Sequence, residues 1–176
     1  MTDLFLDLLP PGQPANRSNA FLGRVMKDRL YIPETDSPGA IKHALNDNAW
    51  VDGEVIAAGD VRQGKEPTVA SMLTGLAAIE ALRPRRFKAL PRHFVLAVTR
   101  DRVVAFTTLS TGDEGDLYEL WVRPGEACAW ARDSVRLTDM AKDTAGTLEL
   151  AGERAPVYRA SNDPSTEELF ALLAGS

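Results

Sequence analysis

Cysteine and histidine are scarce in this chain. Its 176 residues include one cysteine, Cys128, and two histidines, His43 and His93. One cysteine excludes an intrachain disulfide, and an unpaired thiol fits a reducing, cytoplasmic setting. No Cys-x-x-Cys or His-x-x-x-His spacing occurs, so neither a zinc site nor a resident cofactor is expected. Basic residues are outnumbered, with Lys+Arg 20 against Asp+Glu 25 and a net charge of -5. That balance argues against nucleic acid as a general partner, which calls for a basic surface. Long apolar runs are missing as well. The longest, Val69 to Leu82, is interrupted by Ser71, Thr74 and Glu80 and is too short to span a bilayer. The opening MTDLFLDLLPP carries Asp3 and Asp7 where a secretory leader is basic, so no leader is expected. There is no repeat at solenoid period and no low-complexity tract. What is present is a 44% hydrophobic composition, enough to build a core and too apolar for a disordered chain.

The pattern along the chain predicts one domain with an N-terminal extension. Residues 1–51 read as an arm followed by a helix. Leu4, Phe5, Leu6, Leu8 and Leu9 precede the breaker-rich stretch PPGQPANRSN. Ser37-Pro38 signals a helix start, with Ile41 and Leu45 on its apolar side. Residues 52–176 read as the main domain. A strand is expected over 54–61 and a helix over 68–82, where Val69, Met72, Leu73, Leu76, Ile79 and Leu82 recur at helical spacing before Pro84.

From His93 the period changes to that of strands. Runs over 94–99 and 102–109, joined through Arg100-Asp101, predict a hairpin. Further short strands are expected over 117–122, 127–131, 134–137, 147–151 and 156–159, with Pro124-Gly125 as a turn. The chain closes on a helix over 165–174. Ser165 and Glu168 have capping-box spacing, Leu169, Phe170, Leu172 and Leu173 form the stripe, and Gly175 is the stop. The fold class is α+β, mainly antiparallel β. About seven strands form a curved sheet or partly open barrel, capped by a helix that covers one open end.

A strand series closed by a terminal helix resembles the pleckstrin-homology-like superfold, including its GRAM and bacterial relatives. Leu90 to Phe106, LPRHFVLAVTRDRVVAF, is similar to a segment of uncharacterised actinobacterial proteins with such domains. There too a strand like EVIAA (Glu54 to Ala58) and a helix rich in small residues come before the hairpin. The resemblance implies a binding role, for a phospholipid head group or a peptide, without fixing the ligand. In lipid-binding members, basic residues cluster on the first strands and the loop between them.

Two segments carry candidate chemistry. Arg83, Arg85, Arg86, Lys88 and Arg92 fall in a stretch without acids, beside Phe87 and Leu90. Such a segment attracts anionic head groups, or else forms a solvated connector. The other is GDVRQGK, Gly59 to Lys65, which fits part of a phosphate-binding loop through Gly59, Gly64 and Lys65. Glu66 stands where a magnesium-binding hydroxyl belongs. Pro67 removes an N–H and delays the helix whose N-terminus would face phosphate. A nucleotide-binding protein is therefore the alternative reading.

Asp113, Glu114 and Asp116 lack calcium-loop spacing. Cys128 reads as a buried small residue. Trp50, Trp121 and Trp130 read as core area or a groove lining. The expectation is a non-catalytic binding module in the cytoplasm, peripheral at the membrane if its ligand is lipid. Its partner is another protein or an anionic phospholipid, and a homo-oligomer is left open.

Overall fold

The computed structural model describes residues 29–32, 39–64, 90–111, 119–141, 144–160 and 164–175. The expected arm over 1–19, the Ser37-Pro38 start, the helix over 68–82 and the acidic loop 113–116 lie outside these residues.

Nine strands are described: β1 (Leu30–Ile32), β2 (Ala57–Gln63), β3 (His93–Val98), β4 (Arg102–Thr111), β5 (Glu119–Val122), β6 (Cys128–Ala131), β7 (Val135–Ala141), β8 (Ala145–Leu150) and β9 (Glu153–Arg159). Two helices flank them, α1 (Ala40–Asp47) and α2 (Pro164–Ala174). All strand pairs are antiparallel. The spatial order is β1-β5-β4-β3-β2-β9-β8-β7, with β6 also on β4. The fold is α+β, and its sheet is not closed into a barrel.

Strands β3 and β4 are apolar almost throughout because both their faces are buried. Phe94, Leu96, Val98, Val103 and Ala105 point into one core cluster, while Val95, Ala97, Val104 and Phe106 point into the other. The hairpin between them turns on Arg100-Asp101 as expected. Val98 pairs with Val103, and the Thr99 N–H donates to the Arg102 carbonyl at 2.9 Å.

Pro124-Gly125 does not reverse the chain. β6 pairs with Arg102–Ala105 and β5 with Thr108–Thr111, both on the side of β4 away from β3. The Arg123 and Ala127 N–H groups still bond to β4 carbonyls, at 2.9 and 2.8 Å. The turn residues, with Gly125 at φ 90°, loop out of one interrupted strand. β1, three residues long on the far edge, was not among the expected strands.

Helix α2 fills the first cluster with Leu169, Phe170 and Leu173. It packs on both β2 and β7, although β9 and β8 lie between those strands in the sheet. One helix reaching both requires the sheet to curl around it. Arg132 donates to the Leu172 carbonyl at 3.1 Å, placing a cation at the last turn of α2, where the helix dipole favours one.

The Ser165 hydroxyl accepts a hydrogen bond from the N–H of Gly39, the residue preceding α1. Helix α1 in turn buries Ile41 and Leu45 in the second cluster, with Val51, Val55 and Phe106. Asn46 pins the following segment by accepting from the Val55 N–H at 2.8 Å and donating to its carbonyl at 3.2 Å.

The β7 edge is protected by irregularity. Its register shifts between Thr138 and Ala141, and Asp139 takes φ 52°. Such a bulge with a charge discourages edge-to-edge pairing.

Candidate functional site

The site is built where β2 ends and β3 begins. These strands are direct neighbours, paired from Ala57↔Val98 to Arg62↔His93. One step further, the Gln63 N–H donates to the Arg92 carbonyl at 2.8 Å. The chain between Gly64 and Pro91 therefore leaves and re-enters the sheet at one end, as the connection of two adjacent antiparallel strands. Arg83, Arg85, Arg86, Lys88 and Lys65 belong to this connection, and all five lie outside the described residues. Arg92, the last basic residue of the segment, is exposed directly before β3.

At the base of the connection sits a polar group on an otherwise apolar sheet face. Strand alternation puts Asp60, Arg62 and His93 on the face shared by Ala58, Val95 and Phe106. Asp60 is fully buried. A carboxylate taken out of water needs a close partner, and one is the His93 Nε2, 3.2 Å from Asp60 Oδ1. The same Nε2 lies 3.4 Å from the Arg62 Nε. A ring nitrogen donates when it carries a proton and accepts when it does not. Nε2 therefore serves only one of the two at a time. One row across on β4, the buried Thr108 hydroxyl makes no hydrogen bond among the described residues.

The glycines of GDVRQGK have separate roles. Gly59 lies inside β2 rather than in a loop. A Cβ there would meet Thr166 of α2 at 2.6–2.9 Å, so the missing side chain lets helix and strand touch. Beyond this point β9 no longer covers β2, and the Asp60 N–H donates to the Thr166 hydroxyl at 3.3 Å instead. Gly64 takes φ 136° and donates its N–H to the Pro156 carbonyl at 2.8 Å. Both glycines thus serve strand ends and packing.

Elsewhere the chemistry is sparse. Among the described residues, no group of three or more His, Cys, Asp or Glu residues is placed to hold a metal. A shallow groove of ≈ 340 Å³ is lined by Asp133, Arg136, Glu149 and Arg154, but Arg154 pairs with Asp139 and Glu149 at 2.7 and 3.1 Å. Trp50 and Trp130 pack on the cores. Trp121 stacks on the exposed Tyr31, their ring centroids 4.5 Å apart.

Partial burial pushes the Cys128 thiol above its ordinary range. Since the thiolate is the reactive form, Cys128 is expected to react with iodoacetamide at neutral pH more slowly than a free cysteine and to accelerate only at alkaline pH. A rate equal to that of free cysteine at pH 7 would contradict this.

Asp60 and His93 went unrecognised as a pair because their meeting depends on strand register. One signal was available: an acid in the small, apolar run AAGDV, in a strand with no wet face, requires a buried partner. No protein-family model and no curated protein matches the chain. Among the described residues, no helix is long and apolar enough to cross a membrane.

Proposed function

We propose that this chain is a pleckstrin-homology-like, non-catalytic binding module for an anionic lipid head group, engaged by the connection between β2 and β3. The supporting observation is the placement of that connection. β2, β3, β4, the interrupted β5/β6, β7, β8 and β9 form a seven-strand antiparallel succession followed by α2. The basic segment, which precedes the β3–β4 hairpin in sequence, therefore joins the first two strands of the succession. The resemblance implies basic residues on the first strands and in that loop for lipid-binding members. Arg62 near the end of β2 and Arg92 directly before β3 bring positive charge to the strand ends. This reading places the protein at the cytoplasmic face of a membrane, where anionic lipids concentrate.

The test is sedimentation with phosphatidylcholine vesicles, with and without phosphatidylserine. Wild-type protein is expected to sediment only with anionic vesicles, and less at high salt. Reversing Arg85 and Arg86 to Glu should weaken binding at least about tenfold, since each basic residue near an anionic surface contributes about 1 kcal/mol. Unchanged binding of the double variant would sink the assignment. A protein partner is the second reading, favoured by the exposed Tyr31 of the edge strand β1, stacked on Trp121. It takes precedence if wild-type protein ignores anionic vesicles even at low salt.

A further inference from the structure

We infer that Asp52-Gly53 is a covalent modification site, at which the main chain isomerises spontaneously to an isoaspartyl linkage. The site lies between α1 and β2 and is independent of the head-group reading. Asp52-Gly53 is the one Asp-Gly step in the sequence, and no Asn-Gly step occurs. Isomerisation begins when the amide nitrogen of the following residue attacks the aspartyl side-chain carbon. A side chain on that following residue hinders the approach, and glycine has none.

The structure removes the other obstacles. The Asp52 side chain is fully exposed. Arg102 reaches it only at 3.9 Å and is held more closely by Glu126, at 2.7 Å. An exposed pair of that length restrains a carboxylate little. Among the described residues, the Gly53 N–H makes no backbone hydrogen bond, and nothing lies within 4 Å of a Cβ built there. Other aspartates are followed by amides that are tied down. After Asp47, the Asn48 N–H donates to the Ala44 carbonyl at 3.3 Å. After Asp101, the Arg102 N–H donates to the Thr99 hydroxyl at 3.0 Å.

The Gly53 nitrogen bonds to Asp52 Cγ, and its proton leaves with the hydroxyl of the carboxyl group as water. The product is a cyclic imide. Water then adds at either carbonyl. Opening at Cγ restores aspartate. Opening at the α-carbonyl leaves Gly53 joined through Cγ, with the former main-chain carbonyl now a free carboxylate. The backbone is one carbon longer, the mass is unchanged, and water is the only reactant. Buried Val51 and Val55 anchor the chain on both sides, and Asn46 bonds both the N–H and the carbonyl of Val55. The exposed residues between them absorb the extra carbon, so the fold persists.

The experiment ages the folded full chain in neutral buffer and digests it with trypsin. The peptide His43 to Arg62 carries Asp47, Asp52 and Asp60 together. Isoaspartate is measured by methyl transfer from S-adenosylmethionine with an isoaspartyl methyltransferase, and located by fragmentation of the peptide. Methyl acceptance is expected to rise with age and to map to Asp52. Asp52→Glu keeps the charge but lengthens the side chain past ready imide closure, and this peptide should then lose the signal. A signal that persists in Asp52→Glu, or that maps to Asp47 or Asp60, overturns the assignment. So does an Asp52 that stays unmodified in the folded chain, whether or not the chain unfolded in urea isomerises there.

Discussion

Gly59→Ala is expected to destabilise the protein by about 3 kcal/mol and to lower its Tm by roughly 6–12 °C. The added methyl would sit 2.6 Å from the Thr166 hydroxyl, 2.8 Å from its Cα and 2.9 Å from its Cβ. A hydroxyl can rotate away, but a helix backbone moves only as a unit, so α2 must lift from β2. Lifting it separates the Thr166 hydroxyl from the Asp60 N–H. β9 pairs with β2 only at Val61–Gln63, so α2 supplies this contact.

Alanine opposes the loss by stiffening the unfolded chain, a gain of roughly 0.5–1 kcal/mol, too small to offset overpacking against a backbone. Gly152→Ala is the comparison. Nothing lies within 4 Å of a Cβ there, and only the positive φ of 89° resists the change. Thermal denaturation of both variants decides the matter. A Gly59→Ala variant as stable as wild type would mean that α2 has room to spare at β2. The same pair tests the nucleotide alternative. If Gly59 served phosphate, ATP would stabilise wild-type protein and not the variant.

The two elements most legible in the sequence were those set by short-range pattern. The α2 stripe of Leu169, Phe170 and Leu173 announced a helix with one buried face, and that face fills the first core cluster. The continuous apolar runs on either side of Arg100-Asp101 announced two strands and their turn, because both their faces are covered. Pro124-Gly125 shows where pattern stops. Turn chemistry marks a departure from the strand and carries no information on whether the chain reverses or rejoins its own line, so an interrupted strand read as two. Ser165 adds a contact that no local spacing announces: its hydroxyl bonds the Gly39 N–H across the fold.

The candidate site depended on pairing of long sequence separation. β2 and β3 are neighbours across the whole stretch from Gly64 to Arg92, so the basic segment read as a connector ahead of a hairpin rather than as part of one. Asp60 and His93 meet only once that register exists.

Phe170→Ala is expected to cost about 3–5 kcal/mol, a large share of the roughly 5–15 kcal/mol that holds a typical domain together. Phe170 is 1% exposed in the cluster shared with Phe94, Leu96 and Leu148. The deletion removes the largest side chain that α2 contributes to that cluster, and a curved sheet cannot collapse onto the void without giving up its ladders. Leu172→Ala, on the same helix but only partly buried, should cost less than half as much, which separates loss of packing from loss of helix propensity.

The damage should also spread in a defined direction. α2 carries Ser165, which bonds the Gly39 N–H, and Thr166, which bonds the Asp60 N–H. Amide exchange at Gly39 and Asp60 should therefore quicken in Phe170→Ala, while exchange at the β3–β4 hairpin, held by Val98↔Val103, changes least. Gly59→Ala and Phe170→Ala both act by unseating α2, so their costs should fail to add when combined. A double variant destabilised by less than the sum, with the same two amides exposed, would establish α2 as the clamp that holds β2, and with it Asp60, in place. Strict additivity would mean that the N-terminal turn of α2 and its buried stripe grip the sheet independently. The Asp60–His93 pair would then be held by β2 and β3 alone.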